Sequence, residues 1–447
     1  MFESLINIFK IPDLKKKVLI TFGLIAVYRI GAFIPTPGID SGKLMLFFER
    51  MAQSTGGTLL GLFNVFSGGA MQRATIFALG IMPYISASII LQLLTAVVPQ
   101  LERLAKEGET GRRKIMQYTR YGTVLLSVIQ SFFIAMWLEN PGHFQGEVIV
   151  PNPGLLFRLT TIITLTSGTA FIMWLGEQIQ EFGIGNGISL IITAGILSRM
   201  PTALAQLTGL ISFSAERRQI DPFTLILMAV MFVGVIVAVI LITQGQRKIP
   251  VQYAKRIIGR KIYGGQSTYI PLRVNQAGVI PIIFAQSIIL FPATIAGIIP
   301  NDFMQNIASS LQARGIVYNL IYALMIIFFC YFYTAITFNP IDVAENMKRY
   351  GGFIPGIRPG KATAEFLDHV MTRITLPGAA FLAIIAIIPT LINAGLDVPF
   401  LVASFFGGTS LLIVVGVMLD TVQQIESHLL TRHYEGFMKK GKLKGRR

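Results

Sequence analysis

Long apolar stretches separated by short polar segments run along most of the chain. A helix needs roughly 20 apolar residues to cross the hydrocarbon core of a bilayer, and ten stretches approach or exceed this length. They predict membrane-spanning helices at 18–35, 74–98, 119–138, 155–175, 187–208, 222–243, 275–296, 316–338, 374–393 and 400–425. The pattern therefore predicts an all-α polytopic fold. An even number of spans places both termini on the same side of the membrane.

The apolar stretch before the second span is interrupted. Residues 59–66 are apolar, Ser67-Gly68-Gly69 follows, and Gln72 and Arg73 are polar. A charge at bilayer depth usually faces water or protein. Broken backbone at that depth is tolerated only inside protein or along a wet cavity. We therefore predict a half-helix that dips into the protein over about 59–73, followed by a true span over 74–98.

Two spans share a similar short sequence pattern, called here the internal echo. Gly80-Ile81-Met82-Pro83 lies in span 2 and Gly278-Val279-Ile280-Pro281 lies in span 7, and each is followed by Ser-Ile-Ile-Leu. Span 7 comes five spans after span 2, so the echo divides the ten spans into two pseudo-symmetric five-helix halves. Paired segments interrupted by Gly and Pro indicate a repeat with the working site between its copies. Each proline also predicts a bend in its helix.

Composition and charge agree with a membrane protein. The chain has 447 residues, of which 53% are hydrophobic and 13% charged, whereas a soluble domain carries about 25% charge. The net charge is +16, and Lys and Arg gather at both termini and after spans 2, 6 and 8. The positive-inside rule therefore predicts that both termini are cytoplasmic. The amphipathic start shows no pattern of a cleavable signal peptide.

These patterns predict four regions along the chain. They are a cytoplasmic amphipathic N-terminus (1–17), an N-terminal half with spans 1–5 (18–208), a C-terminal half with spans 6–10 (209–425) and a basic cytoplasmic tail (426–447). The loops 244–274 and 339–373 combine basic residues with Gly, Pro and aromatics. Their charge also fits ordinary positive-inside bias, but Gly and Pro fix turns. We therefore expect shaped surfaces suited to a cytosolic partner.

Residues suited to catalysis are few. The four histidines fall in loops or the tail, the single cysteine excludes an internal disulfide, and no phosphate-binding or catalytic motif is present. The few charges within or near spans include Arg29, Arg73, Glu177 and Asp420. A proton-coupled transporter normally needs acidic or His relays at mid-membrane. We predict a protein that is not an enzyme and has no cofactor or metal. The glycine-rich stretch 183–187 is predicted to be a tight turn.

Isoleucines accompany the break points of the spans. A single Ile in a span most often faces lipid or packs in a core. A constriction of β-branched side chains would be stiff at χ1 and could gate by dewetting. The candidates are Ile81, Ile85, Ile188, Ile192, Ile283 and Ile413.

Several long segments together resemble one known family. They include RIGAFIPTPGID (29–40), FSGGAMQRATIFALGIMPYISASII (66–90), MWLGEQIQEFGIGNGISL (173–190), VNQAGVIPIIFAQSIILFPATIA (274–296) and FNPIDVAENMKRYGGFIPGIRPG (338–360). The chain is similar to the SecY/Sec61-alpha family, the channel-forming subunits of the Sec protein translocases. The resemblance implies ten helices in two five-helix halves around a central pore with a half-helix plug.

The resemblance also implies roles for particular residues. The pore ring falls on Ile81, Ile85, Ile188, Ile192, Ile283 and Ile413. The plug, at about 59–73, includes Leu60, Phe63, Asn64, Phe66, Ser67, Gly68, Gly69 and Arg73. A lateral gate between spans 2–3 and 7–8 has Ser88, Gln130 and Asn275 as polar candidates. Arg256 and Arg358 match loop arginines that dock a cytosolic partner.

The implied function is passive conduction of polypeptide across the bacterial inner membrane. Expected partners are the small membrane subunits SecE and SecG, the SecA motor ATPase, the ribosome, signal peptides and nascent or preprotein chains, and the lipid bilayer. Two other classes remain as alternatives. A secondary transporter suits the broken helices and the echo but needs mid-membrane ionisable residues, and a lipid transferase needs clustered Asp, His or Glu near one interface.

Overall fold

The computed structural model describes residues 11–53, 64, 67–144, 146–210, 222–253, 256–258, 261–263, 267–298, 316–396, 398 and 400–440. The predicted plug residues Leu60, Phe63 and Phe66 lie outside this part. The helices are α1 (Pro12–Gly31), α2 (Ser41–Gln53), α3 (Met82–Val97), α4 (Pro99–Lys106), α5 (Glu109–Glu139), α6 (Leu155–Phe182), α7 (Gly187–Leu210), α8 (Pro222–Gln244), α9 (Ile280–Ile298), α10 (Ile316–Thr337), α11 (Pro340–Arg349), α12 (Lys361–Leu396), α13 (Phe400–Phe406) and α14 (Gly408–Lys440).

Helices follow the predicted spans in chain order. In the described residues, α1, α3, α5, α6, α7, α8, α9, α10, α12 and α14 overlap spans 1 to 10 respectively. Within the part of the chain that the structure describes, seven helical segments are by themselves long and apolar enough to cross a membrane, and α3 with α4 forms a bent pair with a 99° angle. The chain is thus an all-α, multi-pass membrane fold.

The two halves repeat the same packing order. In the N-terminal half, span 2 (α3) packs on span 3 (α5), which packs on span 4 (α6). In the C-terminal half, span 7 (α9) packs on span 8 (α10), which packs on span 9 (α12). The halves meet along two lines, because α3 and α5 contact α9 while α7 contacts α13 and α14. This places a seam at the centre of the bundle.

The beginning of α1 and the end of α14 lie on one face of the bundle, called here the terminal face. Leu14 of α1 and Ile184, after α6, are buried together, with Ile425 and Leu429 of α14 packed against them. These contacts bring the start of α1 and the C-terminal part of α14 to the same side of the bundle; the location of the chain ends themselves stays a prediction. The other face is called here the opposite face.

The two long loops form one small module on the terminal face. Its strands are β1 (Gln246–Tyr253), β2 (Arg256–Ile258), β3 (Lys261–Tyr263), β4 (Ser267–Arg273) and β5 (Gly352–Phe353). β1 lies in the centre of a three-stranded sheet and is antiparallel to both β4 and β5. Because β5 comes from the second loop, its pairing with β1 joins the two loops. Ile249 and Val251 alternate inward along β1 and pack with residues of α11 and α12 such as Met347 and Leu367. The loops are thus one folded surface.

Helix ends differ from the predicted spans at several places. α1 begins at Pro12 rather than near 18, since proline suits the first helical turn and Asp13 complements the helix dipole there. The boundary between the N-terminus (1–17) and the first half thus falls within a helix. Span 10 is broken at Gly407 between α13 and α14. Gly408 has a φ of +75°, and a Cβ there would collide with Pro389, so α12 and the break approach closely.

Helix α2 covers the opposite face and was not predicted. Its Leu44 and Phe48 are buried, and Phe47 stacks edge-on against Phe144 with ring centroids 4.8 Å apart. An ion pair of 2.9 Å joins Arg50 to Glu147 in the loop that follows span 3. The opposite face therefore carries a folded cap.

Candidate functional site

The six predicted ring isoleucines lie at the seam. Five of them are buried with relative exposures of 0–6% and belong to one apolar cluster, and Ile188 is half-buried at its edge. The five are Ile81 before α3, Ile85 on α3, Ile192 on α7, Ile283 on α9 and Ile413 on α14. They come from both halves, so they converge on the centre instead of facing lipid.

Ile188 differs from the other five. A Cβ placed on Gly176 of α6 would lie 3.1 Å from Ile188 Cγ1, so this side chain packs against its own half of the bundle. On the C-terminal side, a Cβ on Gly416 of α14 would collide with Val279, which brings α9 and α14 together next to Ile283 and Ile413. Close glycine contacts thus hold the cluster from both halves.

The internal echo has the same backbone in both halves. Gly80 and Gly278 have φ values of +58° and +63°, in the left-handed region that favours glycine. In each case a helix begins two residues later, with Pro83 and Pro281 at its second position. The predicted proline bends are therefore wrong. Proline has no amide hydrogen to lose in the first turn of a helix, so it starts each helix rather than bending it.

Residues 67–73, called here the plug turn, lie directly against the cluster. They form turns, as do most of residues 74–81, so the predicted half-helix does not extend through 73 and the second span begins at Met82. Positive φ values at Gly68, Gly69 and Ala74 (+65°, +86° and +45°) exclude a continuous helix there. Ala70 and Met71 belong to the same apolar cluster as the isoleucines.

Hydrogen bonds fix the plug turn on both sides. Asn64 and Gln72 bond each other twice, with Gln72 N donating to Asn64 Oδ1 (3.1 Å) and Asn64 Nδ2 donating to Gln72 Oε1 (2.9 Å). The Gly68 carbonyl accepts from Arg29 Nη1 on α1 and Ser198 Oγ on α7, both at 3.4 Å. The turn is therefore bound to two helices of the N-terminal half.

Two close approaches place the plug turn beside the ring. A Cβ on Gly68 would lie 2.8 Å from Gly195 Cα, one turn beyond Ile192 on α7. A Cβ on Gly80 would lie 3.5 Å from Ser67 Cα, and Gly80 immediately precedes Ile81. The plug turn thus covers the isoleucines on the side nearer the opposite face.

The segment after the plug turn is tied to the end of α1. Thr36 N donates to the Ala74 carbonyl (2.8 Å) and Ile76 N donates to the Ile34 carbonyl (3.0 Å). Pro35 and Thr75 form an isolated antiparallel bridge. These bonds anchor one end of the plug turn.

The three predicted gate residues lie on segments that meet at the seam. Ser88 Oγ accepts from Gln92 Nε2 (3.2 Å) on the same helix, and Asn275 Nδ2 donates to the Gly278 carbonyl (3.0 Å) just before α9. The buried Oε1 of Gln130, on α5, has no hydrogen-bond partner within the described part of the chain. The recorded bonds of Ser88 and Asn275 stay within one segment and do not join the halves.

The predicted docking arginines belong to the module on the terminal face. Arg358 is exposed, and its carbonyl accepts from Thr363 Oγ1 (2.9 Å), which fixes the turn before α12. Arg256 is the first residue of β2. Nearby, a 2.6 Å hydrogen bond from Lys106 to Glu102 on α4 lowers the pKa of Glu102 and raises that of Lys106, to which Asp342 of α11 also contributes.

Two ion pairs near the ends of spans join neighbouring helices. Arg120 binds both carboxylate oxygens of Glu177 at 2.8 Å, joining α5 to α6 near the terminal face. Arg158 Nε donates to Glu139 Oε2 (2.7 Å) near the opposite face. Among the described residues, no group of three His, Cys, Asp or Glu could hold a metal. These pairs connect helices within the N-terminal half.

A polar cavity of about 360 Å³ lies between the start of α7 and the middle of α14. Its lining includes Asn186, Asp420 and Gln424. Gly185 N donates to Gln424 Oε1 (2.9 Å), a bond that joins the two halves. The turn around Gly185 was correctly predicted, because α7 begins at Gly187 directly after it. The cavity lies on the terminal side of the ring, and its lining is mostly polar.

Sequence reasoning missed two residues at this site. Arg199 of α7 donates to Gln72 Oε1 (2.7 Å) in the plug turn, and its charge inside the predicted span 187–208 was a usable signal. Gln424 left no signal, since an exposed glutamine on a helix is ordinary. Only the fold brings it to the Gly185 turn.

Comparisons with known proteins agree on one family. A family profile described as SecY matches residues 75–422. The protein translocase subunit SecY of Escherichia coli strain K12 is 50% identical over 437 residues, covering 97% of this chain and 96% of the relative. The subunit of the same name from Aquifex aeolicus is 43% identical, covering 98% and 100%.

Solved structures share the fold at low sequence identity. One described as a protein-conducting channel gives a TM-score of 0.63 at 18% identity, covering 92% of each chain. A SecY structure whose description says that the plug domain stabilises the closed state gives 0.62 at 19% identity, also covering 92% of each chain. Sec61 in a canine ribosome-channel complex gives 0.59 at 17% identity, covering 92% of each chain.

Proposed function

Given that the chain belongs to the SecY family of protein translocase subunits, we propose that its central seam is the path by which unfolded secretory polypeptides cross the membrane. The observation that carries the proposal is the convergence of five buried isoleucines from both halves under the plug turn. A pocket for a small solute would add a few precisely placed polar groups that orient its ligand, and the five isoleucines supply none. An apolar collar between two halves suits a cargo of any sequence.

The isoleucine ring acts as a gasket. Its side chains form no hydrogen bonds with the cargo, so polar and apolar residues pass without being held. β-branched side chains are stiff at χ1, and an apolar constriction excludes ions by dewetting. The plug turn adds a second barrier, and its movement away from Gly80 and Gly195 accompanies opening.

The contact of α3 and α5 with α9 serves as the lateral gate. An apolar segment of the cargo, such as a signal peptide, intercalates there and binds the open seam more tightly than the closed one. Differential affinity shifts the population toward opening. Ser88, Gln130 and Asn275 are the polar residues proposed for this gate, and apolar segments leave through it into lipid.

The module on the terminal face is the proposed docking surface for the driving partner. Arg256 and Arg358 engage a ribosome or the SecA motor ATPase, which supplies the energy, while the channel itself hydrolyses nothing. The basic termini and loops support a cytoplasmic location for this face under the positive-inside rule, and the proposed location of the chain is the bacterial inner membrane. SecE and SecG brace the helix bundle.

Crosslinking tests the path directly. The chain has a single cysteine, Cys330, so Cys330→Ser gives a background in which Ile85→Cys is unique. A stalled polar secretory chain is expected to crosslink at Ile85. The matched control is Ile90→Cys, on the same helix but 47% exposed on the outside of the bundle. Equal crosslinking at both positions would reject the central path.

The gasket role has its own test. Replacing Ile81, Ile85 and Ile192 together with Ser should raise the ion leak of the resting channel in planar bilayers. The added hydroxyls wet the constriction and the smaller side chains widen it. If the conductance were identical to that of the unmodified chain, the isoleucine ring would not be the barrier to ions.

A further inference from the structure

Three arginines surround the plug turn and are called here the arginine triad. Arg29 lies at the end of α1, Arg73 in the plug turn and Arg199 on α7. Cβ atoms placed on Gly68 and Gly69 would lie 3.1 Å from Arg29 Nη1 and 2.9 Å from Arg199 Nη1 respectively. Two members of the triad therefore contact successive residues of the turn.

Arg73, the third member of the triad, lies over the same aromatic ring as Arg29. The guanidinium carbon of Arg73 lies 4.4 Å from the centre of the Phe33 ring, and that of Arg29 lies 5.5 Å from the same centre. Arg199 in turn interacts electrostatically with both Arg73 and Arg29. Three positive charges thus share one small region near the opposite face.

The recorded partners of the triad are all neutral. They are the Gly68 carbonyl, the Gln72 amide oxygen and the Phe33 ring. No ion pair found among the described residues includes a triad member, whereas Arg50 and Arg158, also near the opposite face, are each paired with a glutamate. Residues 54–66, which precede the turn, contain no Asp or Glu.

Without a negative charge nearby, this arrangement of arginines lowers the stability of the fold. Arg199 Nε is buried and has no hydrogen-bond partner in the described part of the chain. A buried donor that lacks a partner, and like charges at close range, both destabilise a fold. The guanidinium fork matches two oxygens of a tetrahedral oxyanion, so several arginines together suit phosphate.

We propose that the arginine triad binds an oxyanion of the phosphate class. The source is either a soluble anion or the phosphate of a lipid headgroup. A lipid can reach the site because Phe33 is 57% exposed, as are its neighbours Ile30 and Ile34 at 66% and 46%. Since Arg73 belongs to the plug turn and the other two to fixed helices, the bound anion fastens the turn to its seat. This last consequence rests on the proposed channel function, but binding itself does not.

Binding is measured first on the intact purified protein. The unfolding midpoint is followed with inorganic phosphate and with chloride at equal ionic strength. Phosphate is expected to raise the midpoint saturably, as a ligand of the folded state does. Arg199→Gln should weaken the apparent affinity by about tenfold or more, as expected for the loss of a charge-assisted hydrogen bond.

Matched variants keep the test decisive. Arg50→Gln removes an arginine of the same face that is paired with Glu147, and it should leave the phosphate response intact. Arg73→Gln provides a second triad variant if Arg199→Gln fails to fold. A phosphate response equal to that of chloride, or one unchanged in the triad variants, overturns the proposal.

Two further measurements assign the source and the consequence. In chloride buffer, stabilisation by phosphatidylglycerol vesicles over zwitterionic phosphatidylcholine vesicles that disappears in Arg73→Gln identifies the phosphate of an anionic lipid, since the phosphate of phosphatidylcholine is neutralised by its own choline. Stabilisation by free phosphate alone identifies a soluble anion. Phosphate should also lower the resting ion leak of the reconstituted channel. Binding without any change in leak would retain the site and reject its coupling to the plug turn.

Discussion

The contact between Gly68 and Gly195 offers a direct test of the plug turn. Gly68 has a φ of +65°, and a Cβ there would lie 2.8 Å from Gly195 Cα. The obstructing atom is backbone, so no rotamer change can relieve the collision. Gly68→Ala should therefore push the turn away from α7 and from the ring beneath it.

Two costs set the magnitude of this effect. Alanine in the left-handed region costs roughly 1–2 kcal/mol, and forcing an extra methyl group into a packed site costs about 1–3 kcal/mol. Both are relieved when the turn leaves its seat. Because each 1.4 kcal/mol is a factor of ten, the ratio of seated to displaced turn should fall by about 30-fold or more.

The assay is the resting conductance of the reconstituted channel in planar bilayers, without cargo. Gly146→Ala is the matched control, because Gly146 also has a positive φ (+88°) but nothing lies within 4 Å of a Cβ placed there. Gly146→Ala therefore has the energetic cost of alanine at a positive φ but causes no steric collision. A folded Gly68→Ala channel that leaks no more than Gly146→Ala would refute the seating of the plug turn.

Three other predictions concern docking and stability. Arg358→Glu should impair motor-driven translocation into vesicles while the unfolding midpoint stays unchanged, since this side chain is exposed; normal translocation would count against docking there. Glu177→Gln removes the bidentate ion pair with the arginine of α5 and should lower the free energy of unfolding by about 1 kcal/mol after allowance for solvent screening, measured in denaturant. Thr21→Val leaves the buried Ile184 amide without its acceptor and should cost about 1–3 kcal/mol, whereas Thr160→Val, at an exposed threonine bonded within its own helix, should cost less. If Glu177→Gln or Thr21→Val were as stable as the unmodified protein, the bond removed by that substitution would contribute nothing to stability.

The seam explains why the protein is assembled from two similar halves. Each half contributes a helix that begins at a left-handed glycine followed by a proline at its second position. Starting α3 and α9 in this way brings Ile81, Ile85 and Ile283 into the same apolar cluster as Ile192 and Ile413. A contact between two separate bundles can part along its length, whereas a core within one bundle cannot.

Much of this protein was determined by local sequence pattern. The long apolar stretches predicted the helices and their order, because a segment that crosses lipid must satisfy its own backbone hydrogen bonds. The echo around Gly80 and Gly278 predicted two halves, and isoleucines beside the breaks pointed to the seam. These features depend on hydropathy and spacing, which are readable without knowledge of contacts.

Tertiary structure decided the rest. Residues 67–81 are apolar enough for helix, but left-handed glycines and contacts with α1 and α7 hold them as turns. The sheet that joins the two loops pairs residues about 100 positions apart, such as Gln252 and Phe353. The arginine triad and the bond between Gly185 and Gln424 likewise combine residues far apart in the chain. Such pairings leave no periodic signal, because they depend on where the halves meet and not on what precedes or follows each residue.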